Sequence, residues 1–158
     1  MLEWVLVIIY LTFRVMRIEF TKEGMLKEVE NYSSMIGASR ATETGTLFDA
    51  IRMTSDDMII FDNLFKESFI EIWRRLYTWV KEADYGNEKV YMEIEDKYNS
   101  KIVQAQIKEF LYSSILGKWL TMKGSADAET YNVKAFDIKD NITMLFHNKL
   151  YRRKANPF

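Results

Sequence analysis

Apolar residues return at every third or fourth position between Met58 and Val80: Met58, Phe61, Leu64, Phe65, Ile72, Trp73, Leu76 and Val80. That spacing lines one face of an α-helix, and no proline or glycine interrupts it. A helix with so wide an apolar stripe must bury it against other elements, so the fold has to be built around this segment. Ser55 is the expected cap, with Asp56 and Asp57 at the positive end of the helix dipole. The helix is expected to run to about Ala83, where Asp84-Tyr85-Gly86-Asn87 supplies turn chemistry.

The same reading extends along the chain. Thr21 is a plausible N-cap for a helix whose inner face is Leu26, Val29, Ser33 and Ile36, and Gly37 is the expected stop. Residues 38–54 read as a polar loop pinned to the core by Leu47, Phe48 and Ile51. From Lys89 to Glu95 the period changes to two. Val90, Met92 and Ile94 alternate with Tyr91, Glu93 and Glu95, the signature of an amphipathic strand. Its partner is either residues 17–20 or a neighbouring subunit. Asn99 or Ser100 caps a third helix with Val103, Ile107, Phe110, Leu111, Ser114, Ile115, Trp119 and Leu120 inside. Gly124 ends it. Ser125 opens a fourth helix carrying Tyr131, Ala135, Ile138, Ile142 and Leu145, expected to reach about Tyr151. So short a linker implies an antiparallel pair. The expected class is therefore mainly α. It is a four-helix bundle-like domain with a long central helix, a C-terminal antiparallel helical hairpin and one short strand or β-hairpin near 88–96. Residues 1–15 form an apolar extension, 16–151 one helical domain and 152–158 a basic tail.

Composition narrows the function more by exclusion than by assertion. With 158 residues, 48% of them hydrophobic, the chain can bury a core of its own. Cysteine is absent and His147 is the single histidine, which removes disulfides, thiolate nucleophiles and most metal ligand sets. The net charge of −1 gives no global field to attract nucleic acid or an anionic membrane. The carboxylates Asp56, Asp57, Glu67 and Glu71 are better explained by capping and a solvated face than by metal binding, since no Glu-x-x-His accompanies them. Trp73, Tyr77 and Trp79 lie among Arg74 and Arg75, a mixture that can stack on single-stranded nucleic acid. Helical spacing turns Trp73 and Leu76 inward instead. No catalytic residue, cofactor or metal site is expected, and the chain is not expected to be an enzyme.

Two segments stand apart. In MLEWVLVIIYLTFRV the apolar run from Trp4 to Phe13 is shorter than the roughly 20 residues that span a bilayer. It reads as a subunit contact, a weak membrane anchor or translated upstream sequence. The last is favoured, because MRIEFTKEGMLKEV from Met16 reads as a strand followed by a capped helix. At the other end, Tyr151, Arg152, Arg153 and Lys154 close the fourth helix, and Asn156-Pro157-Phe158 follows. Cations there cap the negative end of the helix dipole, or the segment is a docking arm.

The order of these parts resembles the head–tail connector (adaptor, or head-completion) proteins of tailed bacteriophages, particularly those of Bacteroidales phages and prophages. The likeness lies in TKEGMLKEVENYSSMIGA, MTSDDMIIFDNLFKESFIEIWRRL, IVQAQIKEFLYSSILGKWLTMKG and AETYNVKAFDIKDNITMLFHNKLYRRKANPF, which together cover most of residues 20–158. It is a likeness of layout with no strict motif in it, and residues 1–15 depart from it. It implies a structural virion subunit, made in the bacterial cytoplasm and located at the head–tail junction. Such subunits form a ring, commonly of twelve copies, between the portal and the next neck or tail protein. DNA passes through the ring without sequence-specific reading. By position, Tyr151, Arg152, Arg153, Lys154, Pro157 and Phe158 would meet the portal or a neighbour, and Val90, Met92 and Ile94 would lie in a region used between subunits. The competing reading is a helical nucleic-acid-binding or regulatory module that uses Arg74, Arg75 and the basic tail.

Overall fold

The computed structural model describes residues 15–42, 45–95 and 100–154. Among the described residues the chain is mainly helical, with a small three-stranded antiparallel sheet. Strand β1 (Val15–Thr21) leads into α1 (Lys22–Ser39), followed by a two-residue ladder of β2 (Ala41–Thr42) with β3 (Gly45–Thr46) and a single turn, α2 (Phe48–Ile51). The central helix α3 (Met58–Arg75) precedes the strands β4 (Val80–Tyr85) and β5 (Lys89–Glu95). The long helices α4 (Ser100–Met122) and α5 (Ala128–Lys154) complete the order. No helix among these residues is long and apolar enough to cross a membrane. The apolar segment 1–14 and the Asn156-Pro157-Phe158 end lie outside the described residues, as does the alternative cap Asn99.

Strand β5 is central, flanked by β1 and β4. Of the two partners expected for it, residues 17–20 are the one found. Met16 faces Ile94, Ile18 faces Met92 and Phe20 faces Val90 across the β1–β5 ladder. Alternate residues of a strand share a face, so this register closes one apolar surface over the helices. The second partner, β4, was expected to be the end of the central helix. That helix stops at Arg75, about two turns early. The cause of the misreading is visible in the residues. Leu76 and Val80 continue the four-residue step, so the apolar period runs on through a turn and into a strand. Val-Lys-Glu-Ala-Asp-Tyr is a weak strand former by composition, and pairing with β5 decides its state.

Among the expected caps and stops, Thr21 and Gly124 hold and Ser55 and Gly37 do not. The Thr21 hydroxyl accepts the Gly24 N–H at 3.2 Å. At the central helix the cap is Thr54, one residue before Ser55. Its hydroxyl accepts the Asp56 N–H at 3.3 Å, while Asp57 reaches back to the Thr54 N–H at 3.0 Å. Residues 55–57 form a 3₁₀ turn before α3 begins. Gly37 does not end α1, which continues to Ser39. Its value is close approach, because a Cβ there would lie 2.8 Å from the Phe48 Cα. Gly124 does terminate α4. It adopts φ +66°, its N–H bonds the Thr121 carbonyl at 3.1 Å and the Ser125 N–H bonds the Leu120 carbonyl at 2.9 Å. This is the Schellman pattern that only glycine enters without strain.

The core joins Phe61, Phe65, Phe69, Phe110, Trp119 and Phe146 with the inward residues of the sheet in one buried cluster. All eight positions expected inside α4 are buried. The supposed loop 38–54 holds two of the deepest anchors, Ile51 and Met53, and the Trp119 indole N–H donates to the Ile51 carbonyl at 2.6 Å. On α5 the buried line is Ala135, Ile142 and Phe146. Tyr131, Ile138 and Leu145 are only half-buried. That helix runs through Arg152 and Arg153 to Lys154, three residues beyond its expected end.

Candidate interaction site

Two polar clusters tie the helices together, and each has the ingredients of chemistry. In the first, Ser68 on α3 and Ser114 on α4 share a hydrogen bond of 2.8 Å, and the Lys118 Nζ donates to Ser68 Oγ at 3.3 Å. A serine beside a lysine can make a nucleophile. Here Ser68 has 0% of its surface exposed, so no substrate carbonyl can reach it. Lys118 lies 3.6 Å from Glu67 and 3.8 Å from Glu71, and Glu71 also pairs with Lys139 of α5. Glu67 and Glu71, which share a helix face, therefore bind lysines of α4 and α5. The cluster is an interhelix tie.

In the second, the Lys22 Nζ is buried 2.6 Å from Asp62 and sits 4.2 Å over the Tyr85 ring. The Tyr85 hydroxyl donates to Asp62 Oδ1 at 2.9 Å. Burial pushes the Asp62 carboxyl up, but the bonds from Lys22 and Tyr85 and the Lys22 charge outweigh it and hold it below its ordinary value. Burial and the Asp62 contact push the Tyr85 phenol far up, so it stays a neutral donor. This triad locks the start of α1 to α3 and to the β4 hairpin. A third tie, Arg40 to Asp127, joins the end of α1 to the start of α5. The bond from Arg40 lowers the Asp127 carboxyl and raises the guanidinium.

The residues singled out from the sequence are not brought together. Val90, Met92 and Ile94 are core side chains of a strand whose two edges are both paired. Tyr151, Arg152, Arg153 and Lys154 occupy the last turn of α5, and Pro157 and Phe158 lie outside the described residues. Trp73 is half-buried and Trp79 buried, as core packing requires, whereas Tyr77 is 74% exposed in the turn after α3. Arg75 is engaged, donating to Thr143 Oγ1 and Asp140 Oδ1 at 3.0 Å each. His147 is exposed and packs edge-on against Trp79 at 5.0 Å.

What sequence reasoning missed is the outer face of α5. Val133, Phe136 and Met144 are each more than half exposed, at 53%, 57% and 52%. With Asp140 and His147 they follow a 3-4-4-3 spacing, a second stripe that flanks the buried one. The signal is present in the sequence as a second apolar periodicity beside the inner one. Among the described residues no group of three or more histidine, aspartate or glutamate side chains is placed to hold a metal ion. No protein-family model, no curated protein and no solved structure matches this chain.

Proposed function

We propose that this chain is a structural subunit of a tailed-phage connector, an adaptor that assembles into a ring under the portal and extends the DNA channel. The reading rests on the likeness of layout over residues 20–158 and on one physical observation. A chain with a complete aromatic core still leaves Ile59, Tyr77, Met35, Met122, Phe136, Val133 and Met144 more than half exposed. Side chains of that size on a small protein are the material of contacts with other proteins. In this reading the four longer helices act as a bundle and α4 and α5 as an antiparallel hairpin. Asn132 of α5 donating to Thr121 of α4, and Lys134 of α5 pairing with Glu109 of α4, support that hairpin. The end of α5 and the tail beyond it serve as the arm that meets the portal or a neighbour.

The test is incorporation. Purified chain lacking residues 151–158 is added to portal-bearing particles beside the full chain. Loss of incorporation on truncation is the expected result, and equal incorporation removes the docking arm. Failure of the full chain itself to join such particles removes the connector reading. The nucleic-acid alternative is weakened by Arg75, whose guanidinium is already committed to Asp140 and Thr143.

A further inference from the structure

We propose that Tyr32 of α1 and Tyr112 of α4 form an oxidative cross-linking site, at which a one-electron oxidant joins the two rings as a dityrosine. The proposal does not rest on the connector reading, because it concerns two side chains within one chain.

Geometry carries it. The two rings stack with centroids 5.1 Å apart and planes 8° from parallel. Among the described residues no other two tyrosines have their rings in contact; Tyr85 packs on Phe65 and Phe69, and Tyr91 lies under Arg17. The hydroxyl ends meet as well. Burial first, then the Glu109 charge, and then the Tyr32 hydroxyl that hydrogen-bonds it, hold the Tyr112 phenol above its ordinary value. With planes parallel and oxygens side by side, the ring carbons next to the hydroxyls face one another. Those carbons carry the unpaired spin of a phenoxyl radical. An ion pair fixes the arrangement one helical turn before each tyrosine, where the Lys108 Nζ of α4 lies 2.6 Å from the Glu28 Oε1 of α1. The site is also within reach of solvent. Tyr32 is 38% exposed and lines a surface groove with Asn31, Met35 and Ala105, so an electron can pass to an oxidant outside the protein.

In the reaction each ring gives up one electron and its hydroxyl proton. The two facing ring carbons then bond, and their hydrogens shift to the oxygens, which restores both hydroxyls. Two hydrogens leave the protein in all. A haem peroxidase uses the two electrons to turn one hydrogen peroxide into two waters. A photo-excited ruthenium complex passes them to persulfate, which breaks into two sulfates. The new bond closes a loop of about 80 residues and ties α1 to α4, which restricts the unfolded chain.

The full chain, kept dilute, is illuminated with ruthenium tris-bipyridyl and persulfate beside Tyr112→Phe and Tyr131→Phe chains. Phenylalanine keeps the ring and removes only the hydroxyl, so the fold is spared. Tyr131 is the control, a half-buried tyrosine of α5 whose phenol is raised mainly by burial, with Tyr32 among the lesser causes. The expected product has dityrosine fluorescence and the size of one chain, is two hydrogens lighter, and joins the tryptic peptides that hold Tyr32 and Tyr112. Tyr112→Phe is expected to lose this product and Tyr131→Phe to keep it. The cross-linked chain is expected to unfold at higher urea than the untreated one. No dityrosine, dityrosine only between chains, or a bond from Tyr32 to Tyr131 overturns the proposal. So does full yield from Tyr112→Phe, or an unchanged urea midpoint after cross-linking.

Discussion

The sheet and the last helix each bury one face and turn the other to solvent, and the two outer faces are made of opposite materials. On the sheet, Arg17 pairs with Glu93 and Glu19, Lys89 pairs with Glu19, Lys81 pairs with Glu95, and Arg17 also covers the Tyr91 ring at 3.8 Å. Such pairs add little stability, but a lattice of charges on a small sheet discourages association. On α5 the outward positions include a phenylalanine, a valine and a methionine. The sheet is finished for water and α5 is not. The difference leaves the exposed apolar side chains on the helical side and β5, for all its alternation, as core.

The largest test of this contrast pairs an inward residue with an outward one. Ile94→Ala opens a cavity beneath the sheet and is expected to cost about 2–5 kcal/mol. Met144→Ala is expected to stay within about 0.5 kcal/mol in dilute solution. Urea denaturation of both variants reads the two values, and a large loss from Met144→Ala would mean that α5 has no free face. Next in size is Gly117→Ala. Its Cβ would press on the Asn132 side chain and lie 3.1 Å from the Asn132 backbone nitrogen, so α5 must shift off α4. A cost of about 1–3 kcal/mol is expected by thermal or urea unfolding. Near-zero cost would show that the orientation of α5 is loosely fixed, and with it the direction of the stripe.

A smaller effect, about 1 kcal/mol by the same measurement, is expected from Gly124→Ala, because the left-handed turn that starts α5 would carry a side chain. Smallest is the acid response of the sheet side. The folded Asp62 carboxyl titrates below its ordinary 3.8, so its contribution is complete above that value and is lost as pH falls through the lowered one. The stability gap between the native chain and Asp62→Asn is therefore expected to narrow as pH drops from about 6 to about 3. A gap that is constant or widens would remove the Lys22–Asp62 pairing as its source.

Much of this molecule was legible before any coordinates. The inner face of α4, the Thr21 cap and the Gly124 stop follow from local patterns, whereas the alternation of β5 left its partner open between residues 17–20 and a neighbouring subunit. The failures share a cause. Leu76 and Val80 keep helical spacing in a segment that β5 claims as a strand, and no local rule reveals that claim. Gly37 has the look of a stop, yet it is needed for contact with Phe48, a neighbour that only the tertiary fold supplies. Val90, Met92 and Ile94 looked unpartnered because β4 was hidden inside an apparent helix. One helix, α5, carries two apolar periodicities, and the sequence does not say which of them faces inward.

Hydroxyl-radical footprinting read by mass spectrometry, on the full chain dilute and concentrated, sets the two outer faces against each other in one sample. Phe136 and Met144 are predicted to lose reactivity as the protein is concentrated, while Tyr91 on the sheet keeps its own. Protection of Tyr91 with Phe136 and Met144 unchanged would contradict the account.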